Sequence, residues 1–402
     1  MPSLVGVAVR NIARTPRRSA TISLAVVGGC AALVFMMGMN AGLSQMTISN
    51  SVGLMLGAVQ IDSATGARTI PVKPALPALD GVEGVKGAAP RLQLPALLGN
   101  TGAALVVGID ASREARASKF PRLMTRGSLP APDGELHAAI GSSLASQLGV
   151  KVGDAVPVSW LDGMNRVRRS ELVVTGIVRT GSDELDQKLV FVPLSTARRW
   201  IGATEGDAGA IVVSAADNND SNGLAARIRG RLDPAVYRVR TWGQVSPQLK
   251  GMVSYQRGSI NIVLAVIYLV VGAGVAAIQL MGILERTREF GVLSSIGFTP
   301  GRVIALVAVE SLMIGVLAVI IGLALGAALV TLVAHAGGFD VRIAAGGEGL
   351  EGLIGMDPYL RPIVTLRAMA FAAGLVGPVL ILGGVLPALR AARMTAMDAL
   401  RR

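Results

Sequence analysis

The chain of 402 residues is poor in the side chains on which most enzyme active sites depend. It contains one cysteine, Cys30, and two histidines, His137 and His335. A single cysteine excludes an internal disulfide, and the two histidines are too far apart in sequence for a zinc-ligand motif. No G-x-S-x-G, H-E-x-x-H or Walker A sequence occurs. We therefore predict no catalytic residue and no metal site in this chain.

Aromatic and charged residues are also scarce. Aromatic residues make up 3% and charged residues 16% of the chain, whereas hydrophobic residues make up 51%. These values require lipid as the solvent for part of the chain. The net charge of +12 is not interpreted as nucleic-acid binding, because few aromatic rings are present to stack on bases. The arginines cluster beside apolar runs, which indicates membrane topology and contact with anionic membrane lipids.

Long apolar runs interrupt the sequence at intervals, and each is long enough to cross a bilayer. No charged residue lies between Ser19 and Ile61, a run far longer than the core of a signal peptide. Arginines flank the inner end of every apolar run, so the positive-inside rule predicts that both termini are cytoplasmic. We predict an amphipathic N-terminal helix at 1–19 and membrane spans at 20–43, 258–284, 303–333 and 368–389.

Glu310 is the one acidic residue of the third span. A carboxylate at this depth must face protein or water, because exposure to hydrocarbon is costly. We interpret it as a satisfied contact between helices, with a role in transmitting motion to the helices as the alternative.

Residues 44–257 form one hydrophilic insert that is large enough to fold around its own core. Short apolar runs and turn signals predict strands with two or three helices, and hence an α+β domain. The cluster Asp183, Glu184 and Asp186 is interpreted as a solvated turn rather than a cation site. Strands are predicted at 59–61, 105–108, 156–160, 172–178, 189–192, 210–213 and 237–239, and helices at 142–148 and 224–232.

A charged stretch follows the second span and reads E-R-T-R-E-F-G-V-L-S-S-I-G from Glu285 to Gly297. Phe290, Leu293 and Ile296 recur at helical spacing, so we predict a short amphipathic helix at 285–302. This run resembles the coupling segment of FtsX-like ABC transporter permeases of the MacB and LolC type. In that family the segment fits into a groove of a cytoplasmic ATPase. The resemblance implies the ATPase-coupling residues Glu285, Arg286, Arg288, Glu289, Phe290, Gly291, Leu293, Ile296 and Gly297.

The insert resembles the LolC/LolE lipoprotein-releasing branch of this family. The pattern V-x-G-V-x-x-A-A-P-R lies at Val82–Arg91, L-A-S-Q-L-G-V-K-V-G-D at Leu144–Asp154, and T-W-G-Q-V-S-P-Q-L at Thr241–Leu249. The resemblance implies four transmembrane helices and an α+β extracytoplasmic domain. That domain has a Sabre part near 109–209 and a porter part built from its flanks. An extracytoplasmic loop at 334–367 and a cytoplasmic tail at 390–402 complete the expected architecture.

The family implies the permease subunit of a type VII, mechanotransmission ABC transporter in the bacterial inner membrane. This chain then holds no cofactor, and ATP and Mg belong to separate cytoplasmic ATPase subunits. A second permease chain is expected as partner, and a periplasmic chaperone or adaptor is possible. The expected work is extraction of a lipoprotein or lipid from the outer leaflet. Acyl chains are expected against Phe35, Met36, Met39, Leu43, Met46, Ile260, Val263 and Ile267, unless these side chains only face lipid or pack between helices.

Three other functions remain open at this point. A MacB-like efflux pump would expel drugs or peptides, and an FtsX-like protein would signal to a cell-wall hydrolase. A membrane-anchored binding protein without an ATPase is the third alternative, although it leaves the coupling segment without a role.

Overall fold

The architecture is that of a computed structural model, which describes most of the chain. The described residues are 6, 10, 16–99, 102–132, 134, 136–217, 220–285, 292, 299–341 and 359–374. They divide into two compact units. The first unit takes its residues from Met1–Ser44, Tyr255–Phe339 and Leu360–Arg402, and the second from Gln45–Ser254 and Asp340–Tyr359.

Three long helices dominate the first unit, and short helices belong to the second. A further helical stretch covers 366–374. The helices are α1 Pro16–Ser51, α2 Ala75–Leu79, α3 Ala111–Ala117, α4 Ser142–Leu148, α5 Asp183–Asp186, α6 Leu194–Ile201, α7 Ser221–Arg229, α8 Trp242–Val245, α9 Pro247–Glu285 and α10 Pro300–His335.

The strands belong mainly to the second unit. They are β1 Val59–Ser63, β2 Ile70–Pro71, β3 Val85–Leu98, β4 Ala103–Ile109, β5 Met124–Gly127, β6 His137–Gly141, β7 Ala155–Leu161, β8 Val167–Val178, β9 Leu189–Pro193, β10 Asp207–Ala208, β11 Ala210–Ala215, β12 Tyr237–Thr241, β13 Phe339–Asp340 and β14 Tyr359–Leu360.

Within the described residues, three helices are long and apolar enough to cross a membrane. They cover Ser23–Leu56, Pro247–Met281 and Ile304–His335. The predicted fourth span, 368–389, lies outside the described residues except for its first turns at 368–374. The structure thus describes three of the four spans that the sequence predicts.

Helices α1 and α10 approach closely through two glycines of α10. A Cβ atom added at Gly322 would lie 2.6 Å from the Cβ atom of Cys30, and one at Gly326 would lie 2.8 Å from that of Val34. Gly322-x-x-x-Gly326 is the small-residue spacing that lets two membrane helices touch along their backbones. Leu264 of α9 and Ala372 pack beside Leu33 and Val34 of α1.

A ten-stranded mixed sheet forms the second unit, with the order β12-β1-β11-β3-β4-β9-β6-β8-β5 and β7 paired to β3 and β8. The pairs β4–β9 and β6–β8 are parallel. One core collects apolar residues from 48–82 and 208–253, and another collects them from 92–201. The assignment of porter and Sabre parts to this domain stays a prediction.

Strand β3 is fourteen residues long and runs through both cores. Its first half pairs with β11, and its second half pairs with β4 and then with β7. Arg91 lies at the point where both neighbouring strands pair with β3, opposite Ala210 of β11 on one side and Ile109 of β4 on the other.

The predicted α+β class of the insert is confirmed, and most element bounds lie close to the predicted ones. Helix α4 covers the predicted residues and ends at Gly149, which adopts φ +69°. Strand β8 begins at Val167 rather than at the predicted residue 172. The reason is that its ladder with β7 continues as far as the pair Leu161–Val167, through an arginine-rich stretch with no apolar alternation.

Candidate coupling site

The outward end of α1 leads directly into the sheet of the second unit. The helix continues as a π-helical turn, Val52–Leu56, which Gly57 closes by donating its N–H to the carbonyl of Val52 at 2.9 Å. Gly57 has φ +64°, and an added Cβ atom would lie 2.5 Å from the Cγ1 atom of Val212. Only glycine fits this combination of conformation and space.

One β-ladder joins this end of α1 to the beginning of α9. Ala58 donates its N–H to the carbonyl of Val213 at 2.9 Å and accepts from the N–H of Trp242 at 3.1 Å. Strand β1 then pairs antiparallel with β12, with Val59 opposite Thr241. Thr241 forms a capping box with Gln244 at the start of α8, and α9 begins at Pro247. We call the residues from Leu54 to Val59, with Arg91, Glu114 and Thr241–Trp242, the helix joint.

A buried arginine closes the helix joint. The Arg91 guanidinium donates to both carboxylate oxygens of Glu114, at 2.6 and 2.9 Å. It also donates to the carbonyls of Leu54 and Met55, at 3.0 and 2.8 Å. The side chains of Arg91 and Glu114 are 1% and 0% exposed. Arg91 therefore supplies a cation to the carbonyl end of the helix, where the helix dipole favours one.

Apolar packing surrounds this ion pair. The Phe120 ring lies 5.2 Å from the Arg91 guanidinium, and its centroid lies 4.4 Å from that of Phe191. Leu54 is buried in the same cluster, with Val107 among its neighbours. The low dielectric of this cluster strengthens the ion pair and makes its loss costly.

Charge ties strand β1 to β12, and a hydroxyl of β12 ties that strand to β2. Asp62 accepts from Arg238 at 2.8 Å and also pairs with Arg240. Tyr237 donates its hydroxyl to the carbonyl of Pro71 at 2.8 Å, and burial raises the pKa of this phenol. These contacts hold the ladder that connects the two long helices.

The predicted ATPase-coupling residues lie mostly outside the described residues. Glu285 is the last residue of α9, and it is exposed. The other members of the predicted set fall outside the described residues: Arg286, Arg288, Glu289, Phe290, Gly291, Leu293, Ile296 and Gly297. Their role stays a prediction.

Glu310 is buried within α10 of the first unit, with 7% of its surface exposed. A second polar side chain, Gln279 of α9, is 3% exposed, and its Oε1 atom has no hydrogen-bond partner among the described residues. Sequence reasoning missed Gln279 because a single amide hardly alters the hydropathy of a long apolar run.

The predicted acyl-chain residues are brought together only in part. Met36 and Ile267 pack against the same cluster of the first unit, and Phe35 meets Phe339 edge-on, at 6.4 Å between ring centroids. Val263 is 45% exposed. Of the others, Met39, Leu43 and Ile260 are half-buried, and Met46 is buried in the second unit.

Arg91 and Glu114 were not singled out by the sequence analysis. Arg91 is the last residue of the A-A-P-R pattern. A charged residue within an otherwise apolar strand is the sequence signal that points to it.

Asp186 corrects the interpretation of the acidic cluster as a solvated turn. Its side chain is 1% exposed and accepts hydrogen bonds from Thr180 and Ser142, so it is a structural anchor.

Two family models match most of the chain. A sequence model of the MacB-like periplasmic core domain matches residues 19–231, and one of the FtsX-like permease C-terminal domain matches residues 261–396. The lipoprotein-releasing system transmembrane protein LolC of Xylella fastidiosa is 24% identical, over 100% of this chain and 99% of that protein. The macrolide export ATP-binding/permease protein MacB of Nitrobacter winogradskyi is 25% identical, over 97% of this chain and 59% of that protein.

A solved structure is similar to about half of the chain. The periplasmic region of MacB from Actinobacillus actinomycetemcomitans is 15% identical and covers 51% of this chain and 98% of that one, with a TM-score of 0.34. The family assignment rests on the two sequence models. Because they match residues 19–231 and 261–396, the chain belongs to the FtsX-like ABC transporter permeases with a MacB-like periplasmic core domain.

Proposed function

We propose that this permease couples ATP hydrolysis on a separate cytoplasmic ATPase chain to extraction of a lipoprotein or lipid outside the membrane. The helix joint is the observation that carries the proposal. The outward end of α1 and the beginning of α9 meet on the single ladder β1–β12. Displacement of either helix therefore acts on the sheet of the second unit without an intervening flexible loop.

The ATPase contact belongs to the segment 285–302. Glu285, Arg288 and Glu289 supply both signs of charge beside the apolar residues Phe290, Leu293 and Ile296. A short amphipathic helix with a charged edge suits a groove in a partner protein. In this proposal two permease chains pair, and each binds one ATPase subunit.

The lipoprotein substrate is supported by similarity along the whole chain. The relative from Xylella fastidiosa, named as a lipoprotein-releasing protein, aligns over 100% of this chain. Apolar side chains of α1 and α9, including Met36 and Ile267, supply an environment for acyl chains. Methionine suits such a surface because its side chain adapts to irregular apolar shapes.

Efflux of drugs or peptides is the second candidate function. It is favoured by the match of residues 19–231 to the MacB-like periplasmic core domain. The two candidates differ in what accompanies the purified complex. Lipoprotein release predicts an acylated protein, whereas efflux predicts a periplasmic adaptor and a small-molecule or peptide cargo.

The test is a pull-down of the tagged full chain in mild detergent, with mass spectrometry of proteins and lipids. We expect a stoichiometric ATPase in the wild-type sample and its loss from the variant Glu285→Ala/Arg288→Ala/Glu289→Ala. A co-purified acylated protein supports lipoprotein release, and an adaptor or hydrolase supports efflux or signalling instead.

The matched control removes the same charges from the second unit, as Lys73→Ala/Asp80→Ala/Glu83→Ala. All three side chains are exposed, so this variant must retain the ATPase. If neither the wild type nor the control retains an ATPase, the proposal fails and a membrane-anchored binding protein remains.

A further inference from the structure

A cavity of about 460 Å³ in the second unit borders the outward end of α1. Ser49, Val52 and Gly53 form its wall on the helix side. No acidic side chain is among the described residues that line it. Its cationic lining residues are Lys86, Arg116, Lys119 and Arg122.

Three of these four cations lack a carboxylate partner among the described residues. Lys86, Arg116 and Arg122 form no ion pair with any residue that the structure describes. Lys119 donates to the hydroxyl of Ser49 at 3.3 Å, which places its ammonium group at the helix wall. Several cations in one concave site produce a focused positive electrostatic field, which attracts an anion.

The backbone that presents these cations is held firmly. Ser214 donates its hydroxyl to the carbonyl of Arg116 at 3.3 Å, and a Cβ atom added at Gly87 would lie 2.6 Å from that carbonyl. Lys119 donates its N–H to the carbonyl of Gly53 at 3.0 Å. Phe120, the next residue, is fully buried. Such support lowers the entropy that binding an anion would otherwise cost.

A second basic cavity of about 490 Å³ provides a comparison. It is lined by Arg126, Lys151 and Arg179, but Arg179 also lines the neighbouring cavity of Asp183 and Asp186. Two carboxylates thus lie in the cavity next to this one, which distinguishes it from the cavity beside α1.

We propose that the cavity beside α1 binds a phosphate group, free or as part of a lipid headgroup. Two arginines and two lysines suit a tetrahedral dianion better than a single carboxylate. Guanidinium groups donate to phosphate oxygens in pairs, and ammonium groups act as point charges beside them. The site shares no residue with the predicted ATPase contact, and it does not depend on which substrate the permease handles.

The test is isothermal titration of the purified full chain in an uncharged detergent and a phosphate-free buffer. Three probes are used: inorganic phosphate, dihexanoyl phosphatidic acid, and dihexanoylglycerol, which lacks the phosphate. We expect phosphatidic acid to bind and dihexanoylglycerol not to bind. In the variant Lys86→Gln/Arg116→Gln/Arg122→Gln, affinity should fall by about tenfold or more, because several charge-assisted hydrogen bonds are lost.

A control variant removes equal charge outside the cavity, as Lys73→Gln/Arg169→Gln/Arg231→Gln, where all three side chains are exposed. It should bind within about twofold of the wild type, since only weak long-range electrostatics change. Binding of inorganic phosphate as well identifies the phosphate group alone as sufficient, and binding of phosphatidic acid alone identifies a lipid headgroup. No binding, binding of dihexanoylglycerol, or an equal loss in both variants overturns the proposal.

Discussion

At the scale of single residues, the loss of Arg91 has a large energetic consequence for the second unit. It is a fully buried cation that forms two hydrogen bonds to a buried carboxylate and two to helix carbonyls. A buried ion pair adds little net stability compared with apolar residues of similar size, but the loss of one partner is strongly destabilising. The pair therefore fixes the position of the helix end rather than adding much stability.

The first prediction concerns this pair. Arg91→Met should lower the free energy of unfolding by about 3–5 kcal/mol, because the Glu114 carboxylate is left buried without its partner. Thermal unfolding of the purified full chain measures the change. The double variant Arg91→Met/Glu114→Leu should regain most of the stability, because no buried charge remains.

A more exposed ion pair at the start of α3, the helix that carries Glu114, gives the matched control. Arg113 and Asp110 lie 3.8 Å apart with side chains about one-third exposed, so Arg113→Met should cost at most about 1 kcal/mol. Equal effects of Arg91→Met and Arg113→Met would contradict the structural importance of the buried pair.

Asp162 gives a second prediction, which concerns pH. The N–H of Arg166 donates to its carboxylate, and this bond is the main cause that holds the pKa of Asp162 well below its usual value. Burial opposes the shift, while the side chains of Arg168 and Arg166 and the N–H of Met164 add to it. Because the folded pKa is depressed, the carboxylate stabilises the fold above its unfolded pKa of about 4. That contribution is lost as the pH falls toward the folded pKa.

Asp162→Asn should therefore lower the unfolding temperature at pH 7 by an amount that stays constant down to about pH 5. Below about pH 4 the difference between variant and wild type should shrink, since the wild-type carboxylate then loses its advantage. Unfolding temperatures of both proteins between pH 7 and pH 3 test this. A difference that is unchanged at pH 3 would refute the assigned role.

At the scale of elements, sequence patterns predict helices and turns better than they predict long-range contacts. The bounds of α4 follow from its apolar spacing and from Gly149, both of which are local signals. The pairing of Val59 with Thr241 has no local signal, because it joins the two ends of the insert. The contact of Arg91 with Leu54 depends on that pairing, so the helix joint could not be derived from the sequence alone.

Gly38-x-x-x-Gly42 illustrates the same limit. This spacing can let another helix approach closely, but in a chain with 50 glycines it arises by chance about as readily. The structure places an extended segment there instead: Ile363 donates its N–H to the carbonyl of Gly38 at 3.0 Å, and Arg361 lies against Gly42. Small residues define the space for a neighbour without defining the kind of neighbour.

The third prediction concerns the packing of α10 on α1. Gly326→Leu should destabilise the membrane helices and reduce the yield of folded protein in detergent, because the backbone of α1 leaves no room for a side chain. Gly274→Leu is the matched control, since nothing lies within 4 Å of a Cβ atom at Gly274. Size-exclusion profiles of the two variants give the measurement, and similar profiles would argue against close packing at Gly326.

At the scale of the whole molecule, the arrangement across the membrane gives the fourth prediction. Cys30 is buried, so the variant Cys30→Ala provides a background for single-cysteine labelling in cells. In that background Met164→Cys should react with a membrane-impermeant thiol reagent from outside, because Met164 is 74% exposed on the second unit. Arg10→Cys and Arg402→Cys should react only after the membrane is opened, as the positive-inside rule requires.

Labelling of Arg10→Cys or Arg402→Cys in intact cells would contradict the predicted topology. Met164→Cys serves as the positive control for reagent access in each experiment. If all three sites are protected until the membrane is opened, the second unit is not extracytoplasmic and the proposed function fails with it.

The ladder between β1 and β12 also determines when the second unit can finish folding as the protein is made. Strand β1 leaves the ribosome early, whereas its partner β12 comes at the far end of the insert. Pairing across so long a stretch of chain is slow, because a large loop must close first. Strand β1 therefore remains an unpaired edge during most of translocation, and such an edge invites aggregation. The newly made domain thus needs protection on the outer side of the membrane until its last strand has arrived.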